Sequence, residues 1–359
     1  MPRKVSAFPG LKIAICVSVV GFLAASGSYL YWVWHRPLNI ANETYIVKPG
    51  TSLRGLAHQL RDRGVITEPY TLTWLGYLTG RSRQLKAGEY RFGPDASVAD
   101  LLDQVVAGRV IKYQLVLVEG WSFRQVVGAL RSAPKLTAAL ADLLPAEIMA
   151  RLGHPGLHPE GRFYPDTYHY SQGHTDQQIL ASALEKMQTT LQREWHTRAQ
   201  DLPLKSMDEA LVLASIVEKE TARPDERSLI AGVFINRLRK GMRLQSDPTV
   251  VYGMGERFDG NIRLDDLRTD TPYNTYTRAG LPPTPIAMPG REAIAAVLHP
   301  AETAALYFVA RGSDGSHFFS ATLEEHNAAV AKYQLRGRAP KLGSNESGKI
   351  GAPPQNNRR

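Results

Sequence analysis

The sequence has almost no cysteine, and the usual catalytic signatures are missing from it. Cys16 is the single cysteine in 359 residues, which excludes an intrachain disulfide framework and a thiol metal centre. It lies in an apolar run, where a thiol does not ionise readily, so a cysteine nucleophile is not expected either. No His-Glu-x-x-His pair, glycine-rich phosphate loop or Gly-x-Ser-x-Gly elbow occurs, and the ten histidines show no ligand spacing. No cofactor and no metal are expected. Acidic residues are also scarce at both ends. The net charge is +9, but residues 1–34 carry +3 (Arg3, Lys4, Lys12) and residues 336–359 carry +5, leaving +1 for everything between. A nearly neutral middle argues against a basic nucleic-acid face.

The longest stretch without charge runs from Ile13 to Trp34. Its 22 residues span roughly 30 Å as a helix at about 1.5 Å per residue. Basic residues precede it, and Tyr29, Tyr31, Trp32 and Trp34 crowd its far end, where amphipathic rings favour the interface. Positive charge stays inside, so the rest of the chain is expected to face outward. A cleaved signal peptide is the rival reading, since Ala24, Ala25 and Ser26 are small. The apolar run continues past them, which favours an uncleaved anchor.

Beyond the anchor the pattern alternates between strands and helices. Tyr45-Ile46-Val47 reads as a strand, and Ser52 caps a helix with Leu53, Leu56, Ala57 and Leu60 on one face. Residues 88–92 read as a strand, followed by a helix capped by Ser97. Leu115 to Val118 reads as another strand, followed by a helix capped by Ser122. Two weak copies of a strand–turn–helix unit do not make a solenoid. Residues 133–156, rich in Ala, Leu and Pro, read as helical, and a long amphipathic helix is expected from Thr175 to Ala199. The expected class is α+β: a transmembrane helix over 13–34 after a short N-terminus (1–12), a small module over 44–112, a mixed catalytic domain over 113–335, and a disordered basic tail over 336–359.

Most of the chemical signal lies between Ser206 and Gln334. Ser206-Met207-Asp208-Glu209 is a capping box that opens a helix running to about Arg223, ahead of Pro224. Its body, Ala210 to Val217, is apolar nearly all round and must be buried. The helix then ends on Glu218, Lys219 and Glu220. Either these carboxylates emerge into solvent, or one is a cleft acid with a raised pKa. At about 100° per residue Glu218 and Glu220 point roughly 200° apart, so they cannot flank one bond as the two carboxylates of an ordinary glycosidase do.

A second helix is expected from Pro224, with Asp225 and Glu226 at its dipole and Ile230, Val233, Phe234 and Leu238 as its apolar stripe. Asn236 and Arg237 beside that stripe are either surface polars or site residues. Gln245-Ser246-Asp247-Pro248 starts a short helix carrying Tyr252, with Asp247 either its cap or a catalytic group. Tyr273, Asn274 and Tyr276 precede a stiff proline-rich loop. Such loops suit sugars, whose hydroxyls need amide and hydroxyl partners and whose C–H faces pack on aromatic rings. A packed structural loop is the alternative.

These stretches, together with Glu160 to Tyr168, Val233 to Leu238 and Leu306 to Ala310, resemble the endolytic murein transglycosylases, also described as MltG or YceG-like proteins. The resemblance covers nearly the whole chain up to about Gln334. It implies a lyase of peptidoglycan at the bacterial inner membrane, with its N-terminus cytoplasmic and its catalytic domain periplasmic. Cleavage within glycan strands, between N-acetylmuramic acid and N-acetylglucosamine, would leave 1,6-anhydro ends. By motif position the catalytic residue is Glu220, with Glu218 as the fallback. Asn236, Gln245, Asp247, Tyr252, Tyr273, Asn274 and Tyr276 are the substrate-binding candidates. The first soluble module resembles a LysM-like domain, and the family association implies peptidoglycan synthases and penicillin-binding proteins as partners. A hydrolase of the same substrate and a non-catalytic glycan-binding scaffold are the competing readings. A pyridoxal-phosphate lyase is opposed by the outward topology and by the sequence context of Lys219 and Lys240.

Overall fold

The computed structural model describes residues 9–38, 40, 43–312 and 315–335. The expected disordered tail and the basic residues Arg3 and Lys4 lie outside them. Contacts divide the chain into two units. One comprises residues 1–118, 124–159 and 165–184; the other comprises 119–123, 160–164 and 185–359.

The first unit begins with α1 (Pro9–His35), of which Ile13–His35 is long and apolar enough to cross a membrane. Strand β1 (Thr44–Val47), α2 (Leu53–Asp62), α3 (Pro69–Leu78), β2 (Gly88–Arg91) and α4 (Val98–Ala107) follow. β1 and β2 pair antiparallel with Tyr45 opposite Tyr90, and both rings enter the core with Phe92. Ser52 accepts from Gly55 N and starts α2, while Ser97 and Asp100 form a reciprocal box at the start of α4. Gly76 of α3 sits where any Cβ would overlap Leu53 of α2, so α3 needs glycine to approach this closely. Helix α3 has no apolar periodicity to announce it, and the sequence pattern missed it.

Strand β3 (Tyr113–Val116), α5 (Phe123–Ser132), α6 (Pro145–Arg151), β4 (Thr167–Tyr170) and α7 (Asp176–His196) come next. β3 pairs with β4, Leu115 opposite Tyr168. The expected helix over 133–156 is limited to α6. Asp176 explains the rest: its carboxylate accepts from the backbone N–H groups of Ala139, Leu140 and Ala141 at 2.8–3.1 Å. Those donors are therefore spent on a side chain instead of a helical ladder.

The second unit is built around α8 (Met207–Glu220). Residues 210–217 of α8 are all buried, as a helix apolar on every side requires. Helices α9 (Arg227–Arg239) and α12 (Arg291–Leu298) pack against it, with α10 (Asp247–Met254) and the short α11 (Leu264–Arg268) between them in sequence. Strands β5 (Tyr307–Ala310) and β6 (His317–Ser320) pair antiparallel, and α13 (Leu323–Val330), capped by Thr322, closes the described chain with a π-helical turn over 331–335. Buried Ser215 accepts from Ile286 N at 2.9 Å, which ties the proline-rich loop to the middle of α8.

Three boundaries and one cap contact differ from the sequence reading. α8 stops at Glu220, not near Arg223, because Thr221 turns to extended backbone and its hydroxyl accepts from Arg223 N. α9 starts at Arg227, since Glu226 is engaged elsewhere. Ser206 does cap α8, but Glu209 reaches back to Lys205 N. The cap of α10 is Ser246, which leaves Asp247 inside the first turn.

Candidate active site

Glu220 is the last helical residue of α8 and is half-buried. It lines a pocket of about 490 Å³ with Arg237, Gln245, Asp247, Tyr276, Tyr307 and His317 among its walls. Ser246 Oγ donates to Glu220 Oε1 at 2.5 Å. Burial pushes the Glu220 carboxyl from 4.5 up to about 7; the Ser246 bond pulls it down, the neighbouring Asp247 pushes it up, and the Arg237 charge lowers it. The group is therefore close to half protonated at neutral pH.

Ser246 is brought to Glu220 by a strained approach. Gln245 has φ +54°, left-handed backbone that a non-glycine residue adopts at a cost of about 1–3 kcal/mol. The surrounding bonds hold it there. Gln245 N donates to Thr275 O and Ser246 N to Thr275 Oγ1, while Thr249 Oγ1 donates to Ser246 O. Gln245 Oε1 accepts from Arg237, whose buried guanidinium also reaches the carbonyls of Leu306 and Leu244 at 2.6 and 2.8 Å. Arg237 is thus an internal clamp, not a surface polar. Burial lowers its pKa without discharging a guanidinium.

Tyr276 donates to Asp247 Oδ1 at 2.5 Å, and its own pKa is raised by burial and by that carboxylate. Asn274 holds the loop that carries it. Buried Asn274 donates toward the carbonyls of Asp266, Leu267 and Thr269, and its Oδ1 accepts from Tyr276 N. Asn236 is similarly committed to Thr303 O at 2.7 Å and Ala305 O. Both amides serve the backbone, and neither lines the pocket.

Glu218 points elsewhere. It accepts from Gly290 N at 2.9 Å and lies 3.8 Å from Arg227. Burial raises its pKa, and Glu119 adds to the rise. Tyr252 and Tyr273 lie outside the pocket and pack edge-on at 4.8 Å, with Tyr252 donating to Glu160 Oε2. Glu160 is 4% exposed, accepts from Phe123 N at 2.8 Å, and is pushed by burial to about 7.

Of the eight candidates other than Glu218, the structure brings together Glu220, Gln245, Asp247 and Tyr276. Ser246 and a histidine–carboxylate pair escaped the sequence reading. His317 Nδ1 donates to Glu226 Oε2 at 2.7 Å, and His317 N donates to Oε1. These two residues are 91 positions apart, and nothing in the local pattern joins them. Among the described residues no group of three or more His, Cys, Asp or Glu is placed to hold a metal.

At the end of a buried helix on an α+β scaffold, Glu220 shares a polar pocket with Asp247 and Tyr276, and its raised carboxyl is chemically able to give and take a proton. Similarity to known proteins narrows the class. Residues 45–332 match the YceG-like family, and the chain belongs to it. It is 31% identical over 304 residues to the endolytic murein transglycosylase of Bacillus subtilis (strain 168), covering 80% of this chain and 83% of that one. It is 28% identical to the protein of the same name from Streptococcus pneumoniae serotype 2 (strain D39 / NCTC 7466), covering 89% of this chain and 65% of the relative's length. A crystal structure of a YceG-like protein from Listeria monocytogenes matches with a TM-score of 0.51 at 31% identity, over 80% of this chain and 99% of that one.

Proposed function

We propose that the protein is a peptidoglycan lytic transglycosylase that cuts within glycan strands, with Glu220 as its acid and then its base. Family membership and the two relatives' names support the reaction class. The observation that carries the residue assignment is the place of the Glu220 carboxyl in the pocket, at the end of the buried α8 and held by Ser246, where burial raises its pKa.

Protonated Glu220 donates to the glycosidic oxygen between N-acetylmuramic acid and N-acetylglucosamine. The carboxylate so formed takes the proton of the muramic acid 6-hydroxyl, which attacks its own anomeric carbon. That attack is intramolecular, so one carboxyl suffices and no water need be activated. The product carries a 1,6-anhydro end, and Glu220 regains its proton. Ser246 steadies the ionised intermediate form, and Gln245, Asp247 and Tyr276 present polar groups to the sugars. α1 anchors the chain in the inner membrane with the remainder periplasmic. Residues 44–112 form a LysM-like module, residues 113–335 the catalytic region, and peptidoglycan synthases are partners in strand termination.

Mass spectrometry of products from purified glycan strands tests this. Anhydro ends from the wild-type chain and none from Glu220→Gln are expected. A reducing end, heavier by one water, would make the protein a hydrolase. Full cellular function of Glu220→Gln would make it a binding scaffold.

A further inference from the structure

We infer that the outer face of α3 sits in the lipid–water interface of the membrane that α1 spans. Tyr70, Trp74, Tyr77 and Leu78 recur at four, three and one residues, which places them on one helix face. They are 66, 63, 58 and 64% exposed, while Leu72 and Leu75 on the other face are buried in the core. A helix apolar on both faces normally has protein or lipid on both. Among the described residues, protein covers only one here.

The tether decides what covers the other. α1 ends at His35, and Leu38 N already donates to Ala96 O at 3.1 Å. Two residues, Arg36 and Pro37, separate the span from that bond, a reach of roughly 10 Å even when extended. Trp34 and Leu38 pack on the core of this unit, and α3 touches α1 directly. The α3 face is therefore held at headgroup depth, where Trp and Tyr rings are favoured. Beside it, Arg54 and His58 share a face of α2. With Tyr70, Trp74 and Tyr77 they line a cleft of about 420 Å³. Among the described residues neither Arg54 nor His58 has a side-chain hydrogen bond or ion pair, so both are available to a lipid phosphate. A glycan would stack on the same rings, but among the described residues no amide or carboxylate side chain lines the cleft for its hydroxyls. In that cleft the one hydroxyl besides the tyrosines', that of Thr73, is spent on Pro69 O.

The inference rests on the anchor reading of α1, and the test separates the two. The full chain is reconstituted in vesicles of phosphatidylethanolamine and phosphatidylglycerol with shallow brominated acyl chains, and tryptophan emission is compared with unbrominated vesicles. With Trp32 and Trp34 replaced by Phe, Trp74, Trp121 and Trp195 remain, and bromolipid is expected to remove about half of the Trp74 share of the emission, taken as the difference from the same chain carrying Trp74→Phe. Adding Trp74→Phe is expected to abolish that loss. Unchanged quenching after Trp74→Phe overturns the inference, as does a Trp74 that responds to glycan strands and not to bromolipid. Absence of quenching at Trp32 and Trp34 in a Trp74→Phe chain shows that α1 does not insert, which removes the anchor and the inference together.

Discussion

Removing the Ser246 hydroxyl should move the pH profile of the enzyme in one direction only. Ser246 Oγ donates to Glu220 Oε1 at 2.5 Å, and a bond donated to a carboxylate favours its ionised form. A hydrogen bond to a charged group is worth about 1.5–3 kcal/mol, and 1.36 kcal/mol corresponds to one pKa unit. Ser246→Ala therefore raises the Glu220 pKa by about one to two units above its present value near 7. The acid must be protonated to start the reaction, so activity is present below that pKa and lost above it. The alkaline limb of kcat/KM should fall near pH 7 in the wild type and close to pH 8–9 in Ser246→Ala. The maximum should also drop, because the carboxyl loses its orienting partner. The assay is release of anhydro ends from defined glycan strands across the pH range, with thermal unfolding as a control for fold. An alkaline limb that stays in place or moves to lower pH would refute the reasoning, since Glu220 would then not be the titrating acid or the hydroxyl would favour its neutral form.

Glu220→Gln should be more heat-stable than the wild type at pH 8 and equal to it near pH 4. The folded pKa of about 7 exceeds the unfolded 4.5, so the carboxyl costs stability as pH rises through that window, by up to about 3 kcal/mol. A scan of Tm against pH reads this, and a Tm gain independent of pH would contradict it. Glu218→Gln should keep kcat within about threefold, because a glutamine can still accept from Gly290 N; loss comparable to Glu220→Gln would reverse the assignment. Asn274→Ala should destabilise by about 2–3 kcal/mol in urea unfolding, because it strands several buried carbonyls and the Tyr276 N–H. His317→Asn preserves the bond to Glu226 but deletes the outer ring nitrogen. It should lower kcat/KM about tenfold at unchanged Tm if that nitrogen contacts the glycan, and wild-type activity would remove it from the binding wall.

What could be read from the sequence was what repeats locally. The caps at Ser52, Ser97 and Ser206 and the buried run 210–217 each declare themselves within a few residues. The ends of α8 and α9 were misplaced because Glu226 and Thr221 spend their side chains on bonds that propensity does not reveal, one of them to a strand 91 residues away. The binding candidates sorted for the same reason. Asn274 and Asn236 have the right chemistry for sugars, but backbone carbonyls claimed their amides first, from the preceding loop for Asn274 and from 67 and 69 residues away for Asn236. Ser246 looked like a neighbour of a helix start, and only the left-handed turn at Gln245 aims it at the acid.

Two glutamates at the end of one buried helix have been given different fates by rotation alone. Two residues apart, they diverge by roughly 200°, and the intervening Lys219 points away to the carbonyl of Gly120. Glu218 is also raised by burial and by Glu119, but it meets an amide and a guanidinium, groups that support a negative charge. Glu220 meets one hydroxyl, with a second carboxylate, Asp247, beside it. It is also the final residue of α8, where the unpaired carbonyls of the last turn form the negative end of the helix dipole. Dipole, like charge and burial all oppose ionisation there, and the Ser246 hydroxyl and the Arg237 charge work against them. On the proposed reading of Glu220 as the acid, the proton is held weakly enough to be given up because that opposition is incomplete, so losing the Ser246 donor or adding a second one should each slow the reaction.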